Sequence, residues 1–267
     1  MSLESKTAAV AAYARSVDFG RVTLDYERYR PGPPDTLYDR IDALYRLQDA
    51  QAIDVGAGTG AGAIALARRG ASVTAIDPAQ DQLDAVARAA TGRSLTIQTR
   101  PARAEETGLL DHSIDLYLAL QCWHWFDRPR AAQEAMRILR PGGLIVCASF
   151  DYLPHRSELA RATEELILRH NPNWPMSGGH GVHINPLNDL PNAGFLSVEQ
   201  FSFEHQQPFN HEEWRGRIRT CNGVGASLDP GRVALFDADL AAMLQERFPD
   251  TPIHVPHRVW AVTARRP

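Results

Sequence analysis

Ala52-Ile53-Asp54-Val55-Gly56-Ala57-Gly58-Thr59-Gly60-Ala61-Gly62 is the stretch that decides the fold. Ala52 to Val55 reads as a short buried strand. Gly56, Gly58 and Gly60 then let the backbone turn sharply and approach a ligand with no Cβ in the way. Ala63, Ile64, Leu66 and Ala67 open a helix behind the turn. Amides at a helix N-terminus, with the dipole behind them, seat a carboxylate, a phosphate or a ribose hydroxyl. Next, Val73-Thr74-Ala75-Ile76-Asp77 gives a second strand ending in an acid. An acid there, about 20 residues on, accepts hydrogen bonds from two ribose hydroxyls. Strand, glycines, helix, strand and acid in that order imply an adenosine-type cofactor rather than a turn that is merely tight.

Two cofactors share this pattern. With Ala61 as its last position it fits the dinucleotide form G-x-G-x-x-G/A. It fits equally the first motif of S-adenosylmethionine (SAM) methyltransferases, so the rest of the chain must discriminate.

Size and composition exclude several classes. The 267 residues, 44% of them hydrophobic, suffice for a sizeable core in one large or two small domains. A net charge of -4 and a pI near 6.2 argue against a nucleic-acid-binding surface as the main business. The only lysine is Lys6, which removes Schiff-base chemistry and a Walker lysine unless Lys6 folds back into a site. Cys122, Cys147 and Cys221 are widely spaced and form no Cys-x-x-Cys pair, so neither zinc nor a disulfide framework is suggested. The N-terminus lacks the basic-then-apolar pattern of a secretory leader, and no apolar run is long enough for a membrane span. A cytoplasmic protein is the expectation.

Outward from the glycine stretch, helices and strands alternate. A short alanine-rich helix is expected over 7–15, then an extended Asp25–Pro34 segment because of its prolines. Asp35 can cap a helix carrying Leu37, Ile41 and Leu44. Pro78 suits the first turn of a helix whose Leu83, Val86, Ala87 and Ala90 form one apolar stripe. Strands follow at Ser94–Gln98 and Ile114–Leu120, the latter nearly all apolar, as for a strand covered on both faces. Asp127 can cap the next helix, Pro141-Gly142-Gly143 stops it, and Leu144–Phe150 is a fifth strand. Beyond lie a helix over 157–170, a proline- and glycine-rich loop or cap over 171–194, a strand over 195–204, helices over 211–221 and 233–248, and a last strand over 253–263. Such alternation means βαβ units and a parallel sheet.

Together these motifs resemble the class I SAM-dependent methyltransferases, most closely the small-molecule branch of trans-aconitate and ubiquinone/menaquinone methyltransferase relatives. The matching pieces are Ile53 to Gly60, Asp77, Ala104-Glu105, Asp111 to Leu116, His124-Trp125-Phe126-Asp127 and Leu139-Arg140-Pro141-Gly142-Gly143. Tyr26-Glu27-Arg28-Tyr29-Arg30-Pro31 is similar to a Tyr-x-x-x-Arg-Pro signature of that branch. The resemblance is good from about 22 to 150 and thin beyond. It implies an α/β, Rossmann-like seven-stranded sheet of order 3-2-1-4-5-7-6, with the last strand antiparallel and helices on both faces. It further implies a single domain: a SAM-binding core over about 36–150, an N-terminal lid over 1–35 and a helical or loop cap over about 151–194. A dehydrogenase using NAD(P) through the same loop is not expected to carry both the His-Trp-Phe element and the Arg-Pro-Gly-Gly turn.

Residue by residue, the resemblance implies that Asp54, Gly56, Ala57, Gly58 and Gly60 form the methionine side of the cofactor site. Asp77 holds the ribose, Pro78 lies against adenine, and Arg103 with Ala104 brackets it. Gln121 reaches the sulfonium end; Tyr29 and Arg30 cover the methionine carboxylate. Many relatives have Asp where this chain has Arg103.

Methyl transfer from SAM needs mostly in-line placement at about 3 Å and an electron-rich acceptor. A carboxylate acceptor needs no base, whereas a phenol or carbon acid can use one. His124 is the candidate base; the alternative is that it only packs within its aromatic cluster. Trp123, Trp125 and Phe126 either wall an acceptor pocket or fill core. His180 and His183 form a His-x-x-His pair without a clear third ligand, so no metal is expected. Arg215, Arg217 and Arg219 read as a charged surface face, though one could reach an acidic substrate. The function expected is O-methylation of a small molecule, with no nucleic-acid or membrane partner. The alternatives are an NAD(P) oxidoreductase or a SAM-binding protein that does not methylate.

Overall fold

The computed structural model describes Tyr13 and residues 19–267. The helix expected over 7–15 lies outside the described residues, apart from Tyr13. Along the chain run α1 (Thr23–Tyr29), α2 (Asp35–Leu44), β1 (Gln51–Val55), α3 (Ala61–Ala67), β2 (Ser72–Asp77), α4 (Gln80–Thr91), β3 (Ile97–Pro101) and β4 (Ile114–Leu120). These are followed by α5 (Arg128–Ile138), β5 (Leu139–Tyr152), α6 (Glu158–His170), α7 (Asn185–Asn192), β6 (Leu196–Phe209), α8 (His211–Arg219), α9 (Pro230–Arg247) and β7 (Ile253–Arg265). The strands form one sheet of order β3-β2-β1-β4-β5-β7-β6, as the resemblance implies.

The pairings β2–β3, β1–β2, β1–β4 and β4–β5 are parallel. β7 runs against β5: Gly142 N–H donates to Arg266 O and Leu153 N–H to Pro256 O, so residue numbers rise on one strand as they fall on the other. Among the described residues no helix is long and apolar enough to cross a membrane.

By density of contacts the chain divides into two units. One comprises Gly32–Phe150, His183–Phe203 and Val259–Pro267. Its strands feed alternate residues to two cores. Ala52, Leu116, Leu118, Leu144 and Val146 meet Leu37 and Ile41 of α2 and Leu83 and Val86 of α4. Ile53, Val55, Tyr117, Ala119, Ile145 and Cys147 meet Ala131, Ala135 and Ile138 of α5 and Leu190 of α7. Burial on both faces is why β4 and the Leu144–Ala148 stretch of β5 read as nearly unbroken apolar runs. The other unit comprises the described residues through Pro31, Asp151–Val182 and Glu204–Arg258. Its core gathers Leu159, Leu166, Trp174, Trp214, Ile218 and Phe236.

Several local expectations are corrected. Asp25–Tyr29 is helical, and only 30–34 is extended. A proline restrains just the residue before it, and the first one here is Pro31. The N-cap of α2 is Pro34, not Asp35, which binds Arg69 at 3.0 Å instead. Pro78 precedes its helix: Asp77 accepts from Ala79 N–H at 2.9 Å, and that local turn delays α4 to Gln80. β3 begins at Ile97 because Ser94 (φ 55°) and Leu95 close the turn ending α4, with Leu95 N–H bonded to Ala90 O. Pro141-Gly142-Gly143 lies within β5, where Gly142 and Gly143 exchange backbone bonds with Arg266, rather than before it. The supposed loop over 171–194 contains α7, whose Pro186 sits in the first turn, where no intrahelical N–H is lost. β6 runs on to Phe209.

Candidate active site

β1 and β2 end side by side, with Val55 opposite Ile76, and this register sets Asp77 next to the glycine turn. Gly56, Gly58 and Gly60 have φ of 65°, 52° and 90°, all left-handed. A Cβ on Gly56 would lie 2.8 Å from the Cys122 Cβ, and one on Gly60 3.0 Å from Val86. Those two glycines serve packing. At Gly58 the nearest atom to a Cβ is Gln82 Oε1 at 3.9 Å, so this position alone of the three faces open space.

Gly58 N–H donates to Asp77 Oδ2 at 3.0 Å and Ala79 N–H to Oδ1 at 2.9 Å. No cation pairs with Asp77 among the described residues. Burial lifts its pKa above the usual carboxylate value, and the two amide bonds work against that rise. Each carboxylate oxygen has two lone pairs, so a carboxylate aimed by two amides keeps capacity for two hydroxyls.

Asp54 lies beneath the turn. Its Oδ2 accepts from Ala63 N–H at 2.7 Å, capping α3 from inside β1, while its Oδ1 is buried without a partner. Burial lifts its pKa to about 7, with the Ala63 bond lowering it and Asp77 adding to the rise. Gly62 makes this close approach possible, since a Cβ there would stand 2.7 Å from Asp54 Oδ2. Ala57 N–H continues the sheet by bonding Ile76 O at 3.0 Å.

The remaining expected residues fall into three groups. Pro78 follows Asp77 directly, and Ala104 is buried in the core of this unit. Arg103 is exposed and lies 3.5 Å from Glu105. Gln121 has φ of 62°, and its amide is spent on β5: Nε2 donates to Phe150 O and Phe150 N–H donates to Oε1, both at 3.0 Å. Tyr29 and Arg30 belong to the other unit. Tyr29 donates to Glu212 at 2.6 Å, and the Arg30 guanidinium lies 5.1 Å over the Tyr26 ring.

At the tip of β4, Cys122 Sγ donates to Val55 O at 3.0 Å, tying this tip to that of β1. Burial holds Cys122 as a thiol, its pKa well above the ordinary value. A 3-10 turn, Trp123–Trp125, follows. Trp123 is buried and donates to Asp189 at 2.9 Å; Trp125 and Phe126 are half-buried. His124 is half-buried, its ring 4.6 Å from Trp125 and 6.2 Å from a nearly parallel His183. The two imidazoles line a cleft of about 30 Å³ together with Cys122, Ser149, Asn185 and Trp260. Ser149 Oγ is buried there without a hydrogen-bond partner. Among the described residues no acidic or basic side chain other than histidine lines this cleft.

Sequence reasoning singled out His183 but not its pairing with His124, and it passed over Ser149 and Asn185. The available signal for Ser149 was its place at the carboxyl end of a parallel strand, where ligands bind in such sheets. His180 lies in the other unit, its ring 4.7 Å from His155. Among the described residues no group of three or more His, Cys, Asp or Glu is placed to hold a metal.

The family model for a methyltransferase domain matches residues 53–147. An uncharacterized methyltransferase of Mycobacterium tuberculosis is 41% identical over 128 residues, 48% of this chain. That match spans only 50% of the mycobacterial protein's length. The malonyl-[acyl-carrier protein] O-methyltransferase of Geobacter sulfurreducens is 33% identical over 218 residues, covering 78% of this chain and 79% of the relative. The chain belongs to the class I SAM-dependent methyltransferases. A structure from Anaeromyxobacter dehalogenans, provisionally named a type II methyltransferase, shares the fold of this methyltransferase with a TM-score of 0.60 at 22% identity. It covers 89% of this chain and 98% of the other.

The cofactor of this methyltransferase is SAM, and the residues present fit it. The open edge at Gly58, and an Asp77 paired with no cation among the described residues, are what a ribose-bearing ligand requires.

Proposed function

We propose that this methyltransferase transfers the SAM methyl group to an oxygen of a small molecule. The observation that carries this is the backbone-held Asp77 at the open Gly58 edge, joined through the Cys122–Val55 bond to a cleft with two imidazoles. When bound, SAM supplies an electrophilic methyl group on a good leaving group. Asp77 accepts from the ribose hydroxyls, the open edge at Gly58 approaches the amino-acid end, and Pro78 and Ala104 flank the adenine. His124 takes the proton of the acceptor hydroxyl, with His183 stacked beside it. Orienting the acceptor accounts for most of the acceleration, because methyl transfer demands alignment more than acid–base help.

A cleft lined by no carboxylate, lysine or arginine among the described residues supports a neutral hydroxyl as the reacting group, and the Geobacter relative's name supports oxygen. At about 30 Å³ the cleft suits one reacting atom, not a whole substrate. Isothermal titration with SAM and S-adenosylhomocysteine comes first; failure to bind either removes the proposal. Labelled SAM is then offered with a panel of hydroxylated small molecules. Binding with no label transfer to any of them would leave a SAM-binding protein rather than an enzyme.

A further inference from the structure

Helix α8 carries Arg215, Arg217 and Arg219, and the structure corrects the expectation that all three lie on its surface. Arg215 and Arg219 stand four residues apart on one face. Asp237 pairs with both, and Arg219 also meets Asp25 at 2.7 Å. Arg217 falls on the opposite face with Trp214 and Ile218, and is only 4% exposed. Its guanidinium has a thiol and a ring for neighbours: Nη1 donates to Cys221 Sγ at 3.2 Å, and Cζ lies 5.1 Å over Tyr152. No carboxylate pairs with it among the described residues. The buried carboxylate Glu164 is engaged by Gly178 N–H at 2.8 Å, by Ser177 and by the hydroxyl of Tyr152, whose ring Arg217 covers.

A buried guanidinium without a counter-ion is strongly disfavoured, and chains keep such a charge where something else neutralises it. A second cation stands nearby. Arg30, half-buried over Tyr26, and Arg217 both lie within electrostatic reach of buried His257, as does Asp151. Burial is the main reason His257 stays neutral, its pKa lowered to about 3. So it neither adds to the positive field nor relieves it.

We propose that Arg217, flanked by Arg30, is an anion site within this unit, taking the carboxylate or phosphate of a small molecule other than the cofactor. The planar fork of a guanidinium matches either oxyanion in a bidentate manner. The site stands independently of the methyl-transfer proposal, because it is read from unpaired charge in one unit and not from the glycine turn in the other.

Malonate and inorganic phosphate are the probes, titrated into the full chain by calorimetry at constant ionic strength with chloride as control. Saturable binding of at least one is expected, weakened tenfold or more in Arg217→Met and less in Arg30→Met. Arg217→Met should melt no lower than the parent without the anion, since an apolar side chain replaces an unpaired buried charge. Absence of saturable binding, or binding unchanged in Arg217→Met, overturns the proposal. Competition by S-adenosylhomocysteine also overturns it, by showing that the anion seat belongs to the cofactor. Should Arg217→Met not fold, Arg217→Lys decides: a compact ammonium cannot copy the fork, so undiminished affinity there rejects the site.

Discussion

Two edges of the same unit are built on opposite plans. At the tips of β1 and β2 the geometry is set by main chain: left-handed glycines, and amides of Gly58 and Ala79 that together aim one carboxylate. At the tips of β4 and β5 side chains do that work: two imidazoles, two indoles, two amides, two thiols and a hydroxyl around a small cleft. A main-chain edge tolerates little change, because most residues cannot adopt its dihedrals. A side-chain edge can be rewritten one residue at a time. The first therefore suits a ligand common to the family, and the second a ligand particular to this chain.

The largest expected effect tests the second edge. His124→Gln should lower turnover about 10²- to 10⁴-fold, the usual span for a lost general base, while leaving S-adenosylhomocysteine affinity intact. An unchanged rate would reduce His124 to a packing residue and blunt the contrast.

Next comes Asp54, which belongs to the first edge. Its folded pKa of about 7 exceeds the ordinary carboxylate value of 3.8. Between about pH 4 and pH 7 the native carboxyl keeps its proton while the unfolded one has lost it. Its contribution to stability therefore falls as pH rises through that window and levels off above it. Three pKa units correspond to about 4 kcal/mol. Asp54→Asn should flatten this slope in urea unfolding at pH 5 and pH 7.5. An equally steep slope in the variant would place the titrating group elsewhere.

Asp77→Ala should weaken S-adenosylhomocysteine binding about 100-fold, because two charge-assisted bonds to the ribose are lost. Calorimetry measures it directly, and a change under fivefold would separate Asp77 from the ribose. Gly56→Ala should destabilise the fold by about 2 kcal/mol, from positive φ and the close approach to Cys122. Chemical denaturation reads this out; a neutral outcome would mean the turn yields more readily than its contacts imply. The smallest effect is Ser149→Ala, expected within about 1 kcal/mol of the parent in stability, since its hydroxyl has no protein partner to lose.

The same contrast governs how much was legible in the sequence. Gly56, Gly58, Gly60 and Asp77 announce themselves because backbone geometry leaves few residue types for those places. The alternation of apolar strands with striped helices made a parallel sheet readable, and the family resemblance supplied its strand order. The cleft was not, because His183, Asn185 and Ser149 reach His124 from distant stretches, and a proline-rich composition masked α7. Arg217 was misread for a geometric reason: residues two apart look like one stripe on paper but lie on opposite sides of a helix. Gln121 was placed correctly at the end of β4, yet nothing local shows that Phe150 would occupy its amide.

That last contact has a broader meaning. Where β4 and β5 stop exchanging backbone bonds, the Gln121 side chain supplies one more rung, donating and accepting at Phe150 as a peptide unit would. The rung works as a rivet, fixing the point from which the aromatic turn departs. Everything beyond it, from Cys122 to Phe126, is relieved of holding the sheet together. A lineage could thus exchange acceptors by editing the tip while the frame beneath stays fastened.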